Sequence, residues 1–170
     1  MAASLEAFED AVRTTTATVD RIPPDELAAT LTEVVDEPAI GAPLPFDEVS
    51  VEAVEGWIDF DPTREKLLAA KTGVTGAILG IASYGSLVLR ATPNVDELAS
   101  LFPDRHVVLV RESDVVPDMT AAFDRLGPLW AEEAADVVIA TGPSATADMG
   151  ELVYGVHGPR EFHVVVLVGI

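Results

Sequence analysis

The chain has 170 residues, of which 49% are apolar and 6% aromatic, and this composition predicts a soluble domain with a sizeable core rather than a disordered chain. Its 29 acidic residues outnumber 10 basic ones, which gives a formal charge of −19. Without a basic patch to neutralise phosphates, nucleic acid is excluded as a partner. The acids are spread over the whole chain, which favours a halophilic surface adapted to a salt-rich cytosol over an acidic patch that recruits basic partners.

The composition also restricts the compartment and the chemistry. Because cysteine is absent, this chain has no disulfide, no thiolate nucleophile and no cysteine-bound iron–sulfur cluster, so a redox centre would belong to a partner. The three histidines lack the spacing of a zinc site, and no metal is expected. The first residues do not resemble a signal peptide, and no apolar run approaches the ~18 residues of a membrane span. The sequence therefore predicts a cytoplasmic protein that does not bind a membrane.

Apolar periodicity and capping residues predict three helices in the first part of the chain. These helices cover Ser4–Asp20, Asp25–Val35 and Asp61–Gly73. Pro38 ends the second helix, and Gly73 is the expected carboxyl-terminal stop of the third. Prolines interrupt residues 38–60, where we expect loops and one or two marginal strands, at Val49–Val51 and Trp57–Ile58.

The remaining chain alternates strands and helices. Two apolar runs, Ala77–Ala82 and Ser86–Ala91, flank the turn residues Ser83, Tyr84 and Gly85 and predict a β-hairpin. The later elements are a helix at Val95–Leu101, a strand at His106–Val110, a helix at Val116–Glu133, and strands at Asp136–Ala140 and Phe162–Val168. Strands separated by helices imply right-handed crossovers, so we predict an α/β fold with a largely parallel sheet.

The segment Thr141–Pro159, which reads TGPSATADMGELVYGVHGP, is the strongest candidate for a functional site. It follows an apolar run that predicts a strand buried on both faces, and ligands bind beyond the carboxyl ends of parallel strands. If Gly142 caps a short helix with Pro143 at its first position, the free backbone N–H groups of residues 144–146 would bind an anion. In the simpler alternative, Ser144 and the polar residues after it only satisfy backbone groups.

His157 lies in a glycine-flanked turn and could pair with Asp148 for general acid–base catalysis. The alternative is that His157 only shapes the turn and Asp148 only stabilises the helix start, and the absence of a recognisable nucleophile favours this alternative. His106 and His163 fit core or edge positions of strands. The candidate ligand-binding residues are Thr141, Gly142, Ser144, Thr146 and Gly158 of the loop and Ser83, Tyr84, Gly85 and Ser86 of the hairpin turn. Turn geometry alone would also explain the hairpin group.

Six motifs in this order resemble the LUD domain family of lactate-utilisation proteins: TGVTGA, IASYGSLVL, LFPDRHVVLV, SDVVPDM, TGPSATAD and GVHGPREFHVVVL. The resemblance covers about residues 71–168 and is weaker in the N-terminal helices. It implies a three-layer fold of the NagB/RpiA/CoA-transferase type, with a largely parallel central sheet preceded by N-terminal helices. Residues 1–170 would form a single LUD domain, with a helical segment over 1–37 and the family core over 61–170.

The resemblance also implies an accessory role in L-lactate oxidation beside partner subunits that carry iron–sulfur clusters. Two positions depart from the family pattern: Ser83 stands where many relatives have a glutamate, and Ala145 where they have an arginine. Without these two charges the site would bind a different ligand or none, because serine and alanine cannot replace a carboxylate or a bidentate guanidinium. Whether the chain is an enzyme is therefore left open, as is a homodimer.

The leading hypothesis is an accessory component of a lactate-utilisation system that binds a small anionic metabolite at residues 141–158. The alternatives are a stand-alone enzyme for acyl or phosphate substrates, suggested by the fold type alone, and a degenerate structural paralogue. A carboxylate nucleophile in the site would favour the enzyme, and Ser83 occupies the position where the family's acid would be.

Overall fold

The computed structural model describes residues 2–47, 49, 54, 56–92, 95–132, 135–147 and 150–170. The α-helices of this part of the chain are α1 (Ala2–Thr14), α2 (Leu27–Val34), α3 (Arg64–Ala69), α4 (Asp96–Leu101) and α5 (Met119–Glu132). The strands are β1 (Thr18–Ile22), β2 (Ala39–Gly41), β3 (Ile58–Asp59), β4 (Thr72–Gly76), β5 (Leu79–Ile81), β6 (Ser86–Ala91), β7 (Arg105–Arg111), β8 (Val115–Val116), β9 (Asp136–Ala140), β10 (Ala145–Thr146), β11 (Val153–Tyr154) and β12 (Glu161–Leu167). Within these residues, no helix has both the length and the apolar character needed to cross a membrane.

The central layer is a six-stranded sheet in the order β1-β12-β7-β4-β2-β3, and every neighbouring pair in it is parallel. One face packs against α2 through Leu27 and Leu31, and the other packs against α1 through Leu5, Phe8 and Val12. This three-layer arrangement confirms the predicted α/β class. The β-branched residues of β7 and β12 lie at its centre and are fully buried, as expected for strands covered on both faces.

A second, four-stranded sheet in the order β8-β5-β6-β9 packs against the α1 side of the first. The predicted hairpin is present, because β5 and β6 are antiparallel with Leu79 opposite Val88. The interpretation of β9 as a strand of the parallel sheet, buried on both faces, is wrong. It is antiparallel to β6 at the edge of the second sheet, and Ile139 is 41% exposed.

Two predicted helices end earlier than their apolar spacing suggests. The first ends at Thr14, the first of three consecutive threonines, of which Thr16 is left-handed with φ 67°, and the chain then enters β1. The N-terminal segment is therefore not purely helical. The third helix ends at Ala69, and Gly73 lies inside β4 instead of stopping it. A Cβ at Gly73 would lie 1.8 Å from the carbonyl oxygen of Ala99 on α4, so this glycine permits a close helix–strand approach.

The last long helix begins three residues later than predicted. Val116 belongs to β8, and Asp118 caps α5 by accepting a hydrogen bond from the Ala121 N–H at 2.9 Å. The marginal strand at Trp57–Ile58 is present as β3, shifted by one residue. The strand predicted at Val49–Val51 lies largely outside the described residues.

Candidate functional site

A pair of hydroxyl groups joins the hairpin turn to the start of the 141–159 loop. Leu87 on β6 is opposite Ala140 on β9, and one step further along this register Ser86 faces Thr141. The Ser86 Oγ and Thr141 Oγ1 atoms are 2.7 Å apart. Because one hydroxyl donates to the other, the pair keeps one O–H group that can be donated elsewhere. The structure thus brings together two of the candidate ligand-binding residues, one at the start of β6 and one directly after β9.

Two of the candidate glycines are required by packing against the carboxyl end of α1. Gly85 has φ 63°, and a Cβ there would lie 2.5 Å from the backbone nitrogen of Val12. Gly142 has φ 64°, and its Cβ would lie 2.4 Å from the Thr15 Oγ1 atom. Positive φ and the lack of space both favour glycine. These two glycines therefore shape the site, and packing explains both of them without a ligand.

The helix predicted after Gly142 does not form, so the proposed anion site at its amino terminus is wrong. Residues 145–146 form β10, which pairs antiparallel with β11. The N–H of Ser144 donates to the Pro159 carbonyl oxygen at 2.8 Å and is not free. Glycine and proline signal a helix start locally, but pairing with the returning chain satisfies the same backbone groups.

Ser144 is the centre of the folded loop. Its carbonyl oxygen accepts a hydrogen bond from the Gly155 N–H at 2.9 Å, and its Oγ atom accepts one from the His157 N–H at 3.2 Å. A Cβ at Gly158 would be 3.3 Å from the Ser144 Cβ atom. The structure therefore joins Ser144, His157 and Gly158, as the sequence suggested. Since the Ser144 oxygen accepts from the backbone, its O–H remains able to donate to a ligand.

The His157–Asp148 pair stays a prediction. The His157 side chain is exposed, and Asp148 lies outside the described residues. Thr146 is half-buried on β10. In the hairpin turn, Ser83 and Tyr84 are exposed and their backbone N–H groups donate to the carbonyl oxygens of Pro117 and Ile81, so these bonds fix the turn and leave both side chains in solvent.

Arg160 is the basic residue next to the loop in the sequence, where it could assist an anion or pair with Glu161 or another surface acid, and the acidic composition favours the ion pair. Its aliphatic stem lies over Gly155, where a Cβ would be 2.1 Å from the Arg160 Cγ atom. The expected ion pair with Glu161 is absent, because Glu161 binds Arg105 instead, with Oε2 2.7 Å from Nε. In the described part of the chain, Arg160 has no carboxylate within ion-pair distance. Its guanidinium group thus remains available beside β11.

The loop lies at the amino ends of the parallel strands, not beyond their carboxyl ends as predicted. The N–H groups of Arg160 and Glu161 donate to the Asp104 carbonyl oxygen at 2.7 and 3.0 Å, directly before β7 begins. The loop takes this position because β9, which leads into it, belongs to the second sheet.

Two buried histidines lie on the parallel strands and act in packing. The Nε2 atom of His106 is 2.7 Å from the Thr75 Oγ1 atom, and the ring meets Phe162 edge-to-face at 5.0 Å. Burial lowers the pKa of His106 to about 3, so the ring is neutral at ordinary pH. His163 is bonded through Nδ1 to the Thr18 Oγ1 atom at 2.7 Å. Burial also lowers the pKa of His163, and the nearby carboxylate of Asp20 partly opposes this shift.

Two cavities lie outside the predicted site. The larger, of about 620 Å³, is lined by residues of β2, β3 and α3 and by Trp57 and Phe60, which flank β3. The Nζ atom of Lys66 on α3 pairs there with Asp59 at 2.5 Å. The smaller, of about 250 Å³, lies at the amino ends of β1, β7 and β12. Its Arg105 donates through Nη1 to the Val34 carbonyl oxygen at 2.8 Å. Neither motif nor charge pattern in the sequence points to these cavities.

In the described ranges, no group of three or more histidine and acidic side chains is arranged to hold a metal ion. The chemistry of the loop therefore consists of hydroxyl donors from Ser144 and the Ser86–Thr141 pair, the exposed imidazole of His157 and the guanidinium of Arg160. Such a set can bind the oxygen atoms of a small anion.

The LUD domain model matches residues 57–167, which is more than half of the chain and includes the hairpin turn and the whole loop. The chain belongs to the LUD domain family. This LUD domain is 28% identical over 165 residues to Lactate utilization protein C of Macrococcus caseolyticus, covering 88% of the chain and 68% of that protein. It is 33% identical over 99 residues to Lactate utilization protein C of Bacillus subtilis, covering 56% of the chain and 41% of that protein. The LUD domain thus covers less than half of the length of the second relative and about two thirds of the length of the first.

The fold of this LUD domain is shared with a solved structure, the crystal structure of a DUF162 family protein from Deinococcus radiodurans. The TM-score is 0.74, with 99% of this chain and 98% of that chain covered, at 22% sequence identity. The similarity extends over β1 and α1 as well as the family core, so the N-terminal elements are part of the shared fold.

Proposed function

We propose that this LUD domain is an accessory component of an L-lactate utilisation system, without an iron–sulfur cluster of its own. The observation that carries the proposal is its similarity to relatives named Lactate utilization protein C. The lack of cysteine fits a component that acts beside iron–sulfur subunits. Because the chain spans only part of these relatives, the activity, substrate and partners of the whole system belong to the proposal.

The proposed ligand is a small anionic metabolite bound at residues 141–158. Ser144 and the Ser86–Thr141 pair offer hydroxyl donors for carboxylate or phosphate oxygens. The family's glutamate and arginine positions hold Ser83 and Ala145, so they add no charge. Arg160 is the cation that would balance the charge of the ligand, since it lies against Gly155 without an acidic partner in the described residues.

A binding experiment tests the ligand. We would titrate the chain with L-lactate, pyruvate and inorganic phosphate in about 2–3 M KCl, since salt must screen the surface charge. Binding of one of them should weaken at least about tenfold in Ser144→Ala and in Arg160→Gln, because each variant removes a donor to the anion. Arg64→Gln on α3 is the matched control, because it changes the net charge equally outside the loop. If Arg64→Gln weakens binding as much, general charge and not the loop determines affinity.

A cellular experiment tests the role. Deleting the gene from the native host should prevent or slow growth on L-lactate, and the tagged chain isolated in high salt from lactate-grown cells should bring with it subunits that show the visible absorbance of iron–sulfur clusters. Unchanged growth on lactate together with isolation of the chain alone would refute the accessory role, whatever the outcome of the titration.

A further inference from the structure

The outer edge of β9 is an unprotected strand edge. In the described part of the chain β9 pairs only with β6, so its other side faces no strand. Natural proteins protect such edges with lysine, proline or bulges, because free backbone groups pair with other strands. This strand, Asp-Val-Val-Ile-Ala, contains none of these, and Asp136 is its one charged residue. Ile139 is 41% exposed and lies on the face of the second sheet that α5 covers at β5 and β6.

The hydrogen-bond pattern of the second sheet shows which backbone groups point outward. The Val88 carbonyl oxygen accepts from the Ile78 N–H at 2.8 Å and therefore faces β5. Because backbone direction alternates along a strand, Leu87 and Leu89 face β9, opposite Ala140 and Val138. These two residues of β9 thus bond to β6. The N–H and C=O groups of Val137 and Ile139 point away from the sheet.

We propose that β9 pairs antiparallel with β9 of a second copy of this chain. With Val138 on the two-fold axis, Val137 lies opposite Ile139 of the second copy, and four main-chain hydrogen bonds form. Asp136 then lies opposite Ala140, so no like charges face each other, whereas a shift that places the two Asp136 residues together would repel. The two four-stranded sheets become one continuous sheet, and each exposed Ile139 packs beside a valine.

The self-complementary register favours a second copy over another partner, because all five residues pair and no two like charges lie opposite each other. The net charge of −19 on each copy opposes association, so the dimer should depend on salt. In about 2–3 M KCl the charge is screened and the main-chain pairing decides the outcome. This inference is independent of the proposed lactate role.

Analytical ultracentrifugation of the full chain across protein concentrations, in low salt and in molar KCl, tests the dimer. We expect dimers in molar KCl that dissociate as salt is removed. Ile139→Pro should raise the dissociation constant on the order of 30-fold, since it deletes two of the four bonds and proline is tolerated at a strand edge. Ile139→Thr, which keeps the N–H group and suits a strand, is the matched control and should remain largely dimeric.

Circular dichroism and thermal unfolding show whether Ile139→Pro still folds. If it does not fold, Ile139→Lys gives the decisive result. A lysine at this position does not disturb the pairing of β9 with β6, but a second strand against the edge would have to remove water from its charged group, which is unfavourable. A monomer at every protein concentration in molar KCl overturns the proposal, as does a dimer that survives both the proline and the lysine variants.

Discussion

His106 should make the stability of this LUD domain fall as the pH drops below neutrality. The ring is 1% exposed and has a pKa of about 3 in the folded chain, against 6.5 for an unperturbed histidine. The unfolded chain therefore takes up a proton below pH 6.5 that the folded chain refuses. A histidine with a lowered pKa contributes its full stability above pH 6.5 and loses it progressively between pH 6.5 and about 3.

The size of the effect follows from the linkage between proton binding and folding. Between pH 7 and pH 5 this single group should lower the free energy of unfolding by about 2 kcal/mol. The figure depends little on the folded pKa, because any value below about 4 leaves the folded ring neutral over this interval. Carboxylates and His163 titrate as well, so the total change in the native chain is not a measure of His106 alone.

The decisive quantity is the difference between the native chain and His106→Gln. Glutamine keeps a polar group near the Thr75 hydroxyl and does not titrate. Urea unfolding in molar KCl at pH 7 and pH 5 should show that the variant, whatever its stability at pH 7, loses about 2 kcal/mol less than the native chain on acidification. His157→Gln, at an exposed loop position, is the control and should keep the native pH dependence. An equal loss in the native chain and in His106→Gln would refute the reasoning.

Three further experiments test the packing of the site and of the elements around it. Gly85→Ala should destabilise the fold by about 2 kcal/mol or more, because it adds backbone strain at φ 63° and a clash with the backbone of α1. Gly127→Ala in α5 is the comparison: it has free space around it and should stabilise the fold by up to about 1 kcal/mol in the same urea titration. Asp114→Asn should lower the free energy of unfolding by about 1–3 kcal/mol, because this buried carboxylate accepts hydrogen bonds from Arg111 at 2.6 Å and from Arg125 at 3.1 Å. The exposed pair of Asp10 with Arg13 is the comparison, and Asp10→Asn should change stability by less than about 0.5 kcal/mol. A double-mutant cycle of Ser86→Ala and Thr141→Val should give a coupling energy of about 0.5–1.5 kcal/mol, and additive effects would contradict the hydroxyl pair.

The elements that the sequence predicted well are those with a strong local signal. The hairpin around Ser83–Gly85, the apolar strands β7 and β12 and most of α5 follow from apolar runs, turn residues and helical periodicity. Several strands were missed, and β1 and β4 are the longest of them. β1 is a mostly exposed edge strand without apolar alternation, and it forms because β12 offers a parallel partner far away in sequence. β4 contains two glycines, which suggest a loop until the close contact with α4 is known.

The sequence named candidate site residues but did not predict how they are arranged. Among the candidate residues, hydrogen bonds join Ser86 to Thr141 and Ser144 to His157, and Gly158 lies against Ser144 without a hydrogen bond to it. The local preference for a helix after Gly142 lost to pairing with residues 153–159, which no local pattern announces. For Arg160 the sequence favoured an ion pair with Glu161 over a role in the loop, because it does not show that Arg105 on another strand binds Glu161.

The parallel pairing of β1 with β12 affects how the chain reaches its fold. Thr18 and His163, which are bonded across these strands, are separated by 145 positions in sequence. During synthesis, β1 must therefore wait for β12 before it can join the sheet. Contacts between such distant positions slow folding, because a long loop must close before they form. Folding of this domain should thus be completed only after β12 has been made, and until then the apolar face of α1 needs other contacts to be protected from aggregation.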